Sequence, residues 1–176
     1  GTVVHVNKKD GTKYQYNSIG IVDGSMVMVI GRSGCGKTTF IMQSASNIIK
    51  PFKTSCIFHD DIEGGITKSR KEKLTGLHGQ ELNERYISRN SGITAENFYE
   101  RIKMIHDIKV IENREEFEYD TGLLSTDGDP IYKLEPTVYI LDSLAMLMPE
   151  KYTDEEELSG QMSATAAAKT NSSLFK

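Results

Sequence analysis

The chain lacks the features that mark several protein classes. It has no tryptophan, two cysteines and four prolines in 176 residues, and two thiols do not make the disulfide framework of a small secreted domain. No apolar stretch approaches the roughly 20 residues that a membrane span needs, and no signal peptide is visible. We therefore expect a cytoplasmic protein without a membrane partner.

A large basic surplus is also absent. The formal net charge is −4, which a dedicated DNA-binding domain does not usually show, so any contact with DNA has to be local. Hydrophobic residues make up 38% of the chain and charged residues 26%, which is typical of a folded globular protein. Its length suits one domain with a real core, and we expect residues 1–176 to form a single domain.

One motif stands out against this background. An apolar run over 26–30 precedes eight residues that fit G-x-x-x-x-G-K-[ST], the pattern of a phosphate-binding loop. These residues are Gly31, Arg32, Ser33, Gly34, Cys35, Gly36, Lys37 and Thr38. A strand is expected over the apolar run and a helix after the loop, so that loop amides and the positive helix end face a nucleoside triphosphate such as ATP.

Three side chains of this motif have expected roles. Lys37 would reach the β- and γ-phosphates, and the hydroxyl of Thr38 would hold Mg²⁺. Thr39 is an expected contact of the α-phosphate. An ordinary glycine-rich turn before a helix is the alternative.

The remaining pattern predicts alternating strands and helices. Helical periodicity or strand-like composition marks the following segments: an N-terminal hairpin over 1–20, a helix over 37–49, a strand over 55–59, helical turns over 66–84 with a break at 76–79, a strand over 85–88, a helix capped by Thr94, an acidic insertion over 110–133, a strand over 137–141 and a helix over 155–169. This order predicts a three-layer α/β fold with a parallel sheet. For the insertion, a hairpin and an irregular excursion both remain open.

Two further acidic elements follow strands. Asp142 ends an apolar strand, where a carboxylate beside the phosphate loop would place Mg²⁺ through water. Asp60, Asp61 and Glu63 follow the strand over 55–59, and one of them could activate the attacking water. We favour Glu63, with a solvated acidic turn as the alternative, and we expect His59 to end the strand without a chemical role.

Taken together, these elements resemble the RecA-like ATPase superfamily. The segment Asp142-Ser143-Leu144-Ala145 is similar to that of bacterial RecA and the UvsX recombinases of T-even phages, and 61–64 resembles the D-x-E-G of RadA-type recombinases. This resemblance implies a RecA-like core of the P-loop NTPase class, Glu63 as catalytic base, Lys37 as the residue that stabilises transferring charge, and ATP with Mg²⁺ as cofactors. For the parent protein it implies single-stranded DNA and further copies as partners, in a host cytoplasm if a phage encodes it.

The resemblance has limits that leave other functions open. The span from Lys37 to Asp142 is longer than expected for RecA, because of the acidic insertion. We also expect the C-terminal part of a RecA-like core, with its DNA-binding loops, to lie beyond Lys176. A DnaB-type helicase, a KaiC-like ATPase and a nucleotide-dependent assembly module without turnover are the alternatives.

Two charged segments are not needed for this chemistry. Residues 68–73 hold four basic side chains, for which a solvated helix face is favoured over a DNA-facing patch. The acidic insertion is interpreted as a solvated excursion, with a partner-docking hairpin as the second choice.

Overall fold

The computed structural model describes residues 2–6, 13–17, 21 and 24–149. The described residues form two compact units, one that extends to Lys37 and one that begins at Thr38. The turn of the hairpin expected over 1–20 and the helix expected over 155–169 lie outside the described residues. The expectation of a single domain stays a prediction.

The first unit contains the expected N-terminal hairpin. Strands β1 (Thr2–Val6) and β2 (Lys13–Asn17) pair antiparallel, with Val4 opposite Gln15. The prediction of a hairpin is therefore confirmed for the residues that the structure describes.

The strand predicted over 26–30 is wrong. These residues form no strand, and their side chains are open to solvent, with Met26 71% and Ile30 85% exposed. An apolar, β-branched composition gives a segment strand propensity, but a strand also needs a neighbour for its main-chain groups. The three-stranded sheet of the second unit contains no segment from 26–30.

The second unit alternates helices and strands, and α1 begins at its boundary. In chain order the elements are α1 (Lys37–Ile49), β3 (Ile57–Asp61), α2 (Lys68–Thr75), α3 (Gly79–Arg85), β4 (Tyr86–Arg89), α4 (Ala95–His106) with a π-helical extension (Asp107–Glu112), α5 (Arg114–Phe117), β5 (Glu118–Leu124), β6 (Pro130–Leu134), β7 (Val138–Asp142) and a 3₁₀ turn (Leu144–Met146).

Strands β4, β3 and β7 form a parallel sheet in that order. Strand β3 is central, and its last residue, Asp61, lies beside Asp142 of β7. The expected strand over 55–59 is displaced by two residues, because β3 continues through Asp60 and Asp61. Buried acids can stay in a strand when their oxygens find donors, and both of these acids do.

Helices cover both faces of this sheet. One face carries the main hydrophobic core, whose buried members are Met42, Ala45, Ile49, Ile57, Leu77, Leu82, Tyr86 and Ile140. On the other face Phe98 of α4 packs edge-on against Tyr139, with ring centroids 5.2 Å apart. Because successive strand residues point to opposite faces, Ile57 and Phe58 contribute to different layers. The predicted α/β class with a parallel sheet between helices is confirmed.

Local signals explain several helix ends. Thr94 accepts a hydrogen bond from the Asn97 amide, and the Asn97 side chain accepts one from the Thr94 amide, which completes a capping box. Helix α1 ends at Ile49, two residues before Pro51. The acidic insertion is a hairpin, since β5 and β6 pair antiparallel. Among the described residues, no helix is both long enough and apolar enough to cross a membrane.

Candidate functional site

In the first unit, the glycine-rich segment forms a turn whose geometry depends on its glycines. Gly34 and Gly36 have φ values of +74° and +91°, in the region where a Cβ atom is disfavoured. A Cβ atom on Gly31 would lie 2.6 Å from Sγ of Cys35, which is too close. The amide of Cys35 donates to the carbonyl oxygen of Arg32 at 3.3 Å. Gly34 and Gly36 are thus required by the backbone they adopt.

Lys37 folds back onto this turn. Its Nζ donates to the carbonyl oxygens of Gly31 and Arg32, each at 3.1 Å. The ammonium group is therefore held at the mouth of the loop by acceptors that a phosphate oxygen can replace. Helix α1 begins at Lys37 and runs for 13 residues, so its unpaired N-terminal amides and positive dipole end lie in this part of the chain.

In the second unit, Thr38 and Asp142 are in direct contact. The Thr38 hydroxyl donates to Oδ2 of Asp142 at 2.6 Å, across 104 positions of sequence. Hydroxyl and carboxylate oxygens are the hard ligands that Mg²⁺ prefers, and this ion keeps several waters and binds substrate phosphates as well. The pair fits an Mg²⁺ ion. Within the described residues, no group of three His, Cys, Asp or Glu side chains could hold a metal by itself.

The three candidate acids that follow the strand predicted over 55–59 have different surroundings. Asp60 is fully buried on the α4 face and bound by Arg101 Nη1 at 2.5 Å, Arg89 Nη2 at 3.2 Å and the Tyr139 hydroxyl at 2.6 Å. Burial and the bond to this carboxylate raise the pKa of Tyr139. Asp60 is saturated with donors and has no free oxygen for a water.

Asp61 builds the turn that follows β3. Its Oδ1 accepts from the Gly64 amide at 3.0 Å, and its Oδ2 accepts from the Ile66 amide at 3.1 Å. The Ile62 amide donates to the carbonyl oxygen of Asp142 at 2.7 Å, so this turn begins beside the end of β7. Both oxygens of Asp61 therefore hold the backbone.

Glu63 lies at the tip of that turn and is exposed. It is the acid of the three whose carboxylate accepts no hydrogen bond from any other described residue. Because the oxygens of Asp60 and Asp61 are already engaged in hydrogen bonds, the structure favours Glu63, as the sequence does. Its role in activating water stays a prediction.

Sequence reasoning missed the buried pair of His59 and Tyr86. His59 lies in the centre of β3 rather than at its end, is 0% exposed, and its Nδ1 hydrogen-bonds the Tyr86 hydroxyl at 2.5 Å. Its Nε2 has no partner among the described residues. Burial lowers the pKa of His59; Asp61 and Asp142 oppose the shift, and Lys71 adds to it.

This burial predicts a pH dependence of stability. The unfolded chain binds a proton on His59 near pH 6.5, whereas the folded chain resists it. With respect to His59, the free energy of unfolding should therefore have its full value above about pH 6.5. It should decrease as the pH falls below that value, by at most about 1.4 kcal/mol per pH unit. Urea unfolding at several pH values between 7.5 and 5.5 measures the slope.

The matched variants for this measurement are His59→Gln and His78→Gln, the second at an exposed histidine. His59→Gln should flatten the acid slope, whatever its effect on absolute stability, and His78→Gln should leave the slope unchanged. An identical slope in the wild type and in His59→Gln would contradict the assignment.

Comparison with known proteins adds no family to this geometry. No model of a known protein family matches the chain, and neither a curated protein nor a solved structure does.

Proposed function

We propose that the chain is the ATP-binding and Mg²⁺-dependent ATP-hydrolysing core of a RecA-like recombination protein. The observation that supports this most is the bond of 2.6 Å between Thr38 and Asp142. A hydroxyl directly after the motif lysine and a carboxylate at a strand end are the two groups that this chemistry needs for its metal. The phosphate-loop motif by itself contains only the hydroxyl, Thr38, and not the carboxylate.

Each group has a distinct task in the proposed reaction. Amides of the loop and the N-terminus of α1 bind the phosphates, and Lys37 stabilises charge on the transferring phosphoryl group. Thr38 and Asp142 would hold Mg²⁺, which would neutralise negative charge on the phosphates. Glu63 accepts a proton from the water that attacks the γ-phosphate, so the products are ADP and inorganic phosphate.

The proposal also includes binding partners. A RecA-like core would place the nucleotide between copies of the chain and link its state to affinity for single-stranded DNA. We propose such assembly from the resemblance of 61–64 and 142–145 to recombinases and not from any contact between copies.

The metal role of Asp142 can be tested separately. Asp142→Asn keeps the side-chain shape but removes the negative charge that orients Mg²⁺. We expect the Mg²⁺ concentration that gives half-maximal ATP hydrolysis to rise by about 10–100-fold, with most turnover recovered at saturating Mg²⁺. A phosphate-release assay over a Mg²⁺ titration measures this.

Asp107→Asn is the matched control, because Asp107 lies in the π-helical extension and its carboxylate pairs with His106. It should leave the Mg²⁺ midpoint unchanged. An unchanged midpoint in Asp142→Asn would remove Asp142 from the metal site.

A further inference from the structure

The hairpin of β5 and β6 has one packed face and one open face. Tyr119 packs edge-on against Phe52, with ring centroids 4.9 Å apart. On the open side Tyr132, which pairs with Asp120, is 54% exposed, and Leu124, which pairs with Pro130, is 66% exposed. Exposed apolar side chains that share one face are typical of an interaction surface.

Exposed acidic side chains outnumber exposed basic ones on α5 and the hairpin. Five acids are exposed, Glu115, Glu116, Asp120, Asp127 and Asp129, against Arg114 and Lys133. Arg114 forms an ion pair of 2.9 Å with Glu118. An acidic surface with exposed apolar side chains fits a partner surface that is basic.

The hairpin lies at the edge of the sheet where the strands begin. The carboxylate of Glu135, which follows β6, accepts from the amide and the hydroxyl of Thr54 at 2.8 and 2.5 Å. The Val138 amide donates to the carbonyl oxygen of Cys56 at 3.1 Å. Thr54 and Cys56 precede β3, so the acidic hairpin is anchored at the amino ends of the strands.

A basic surface lies at the opposite edge of the sheet. Lys68, Arg70 and Lys73 of α2 are exposed, and none of them pairs with an acid among the described residues. The first turns of α2 are placed by Lys71, whose Nζ donates to Oγ of Ser88 at 2.5 Å. Ser88 is the penultimate residue of β4, so this surface lies near the carboxyl ends of the strands.

We propose that the open face of the hairpin docks on α2 of a second copy of this chain. Strands of five residues separate the two edges by about 15 Å, so the complementary surfaces of one copy lie at opposite edges of the sheet. Two copies stacked in the same orientation bring acidic hairpin and basic helix together. Such a head-to-tail contact continues into a ring or a filament. The inference rests on the proposed assembly but needs no nucleotide turnover.

Charge reversal tests this contact. A helix variant carries Lys68→Glu with Arg70→Glu, and a hairpin variant carries Asp120→Lys with Asp129→Lys. Sedimentation velocity of the full chain without nucleotide, at low salt and rising concentration, measures association. The wild type should associate, and each variant alone should associate at least about tenfold more weakly. An equimolar mixture should recover wild-type association, because the acidic helix of one variant meets the basic hairpin of the other.

Three results would overturn the proposal. They are a wild type that stays monomeric at about 100 μM, variants that associate like the wild type, and a mixture that recovers nothing. A helix variant that loses binding to a single-stranded oligonucleotide but associates normally would assign α2 to nucleic acid instead. ATP turnover is measured separately, so failure of the contact and failure of the nucleotide site are distinguishable.

Discussion

Lys37→Ala should reduce ATP hydrolysis by about 10²–10³-fold or more, the cost of removing one preorganised charge donor from a transition state. The side chain already lies against the loop, with its Nζ 3.1 Å from two carbonyl oxygens, so little rearrangement is needed to meet a phosphate. Alanine leaves the developing negative charge without this cation. In the proposed site Nζ would also bind the ground-state nucleotide, so the Kd for ATP should rise as well.

Phosphate release and equilibrium binding of ATP measure these two effects separately. Lys53→Ala, at an exposed lysine after α1, is the matched control and should behave like the wild type. A melting curve of Lys37→Ala checks that the loop has not unfolded the protein. Normal turnover in a folded Lys37→Ala variant would contradict the role of the loop.

Glu63→Gln should separate binding from turnover. Glutamine keeps the size of the side chain but cannot accept a proton from water, and loss of a general base costs about 10²–10⁴-fold in rate. Since the Glu63 carboxylate accepts no hydrogen bond from any other described residue, the substitution should leave folding and ATP affinity unchanged. Single-turnover hydrolysis with prebound ATP reports the chemical step directly.

Asp61→Asn is the informative comparison. This change removes an acceptor from the turn held by the Gly64 and Ile66 amides, so we expect reduced thermal stability with a smaller loss of turnover. Glu112→Gln, at an exposed acid of the π-helical extension, should have no effect. If Glu63→Gln hydrolyses ATP normally while a stably folded Asp61→Asn does not, the wrong acid has been assigned.

Local signals carried most of what could be predicted from the sequence. The capping pair Thr94 and Asn97 involves neighbours in the chain, and the helical break at 76–79 follows from glycine and turn residues in a short window. The apolar strand that ends at Asp142 is similarly local. Such features depend on propensity and spacing, which the sequence displays directly.

The failures came from partners that are distant in sequence. The donors that neutralise Asp60 lie 29, 41 and 79 positions away, so nothing near Asp60 indicates that β3 continues through it. The strand predicted over 26–30 was wrong for a related reason. Its apolar composition favours a strand, but composition cannot show whether a neighbouring strand is available to pair with it. The sequence predicted that Thr38 and Asp142 both serve Mg²⁺. It did not predict the direct hydrogen bond between the Thr38 hydroxyl and the Asp142 carboxylate.

The central claim is that main-chain amides over 31–38 enclose the phosphates of a nucleotide, and amide NMR of the full chain tests it most directly. Addition of ADP with Mg²⁺ to ¹⁵N-labelled protein should produce its largest amide shifts at Gly34, Gly36 and Lys37, and adenosine at the same concentration should not. Largest shifts outside 31–39, or equal responses to ADP and adenosine, would contradict the account.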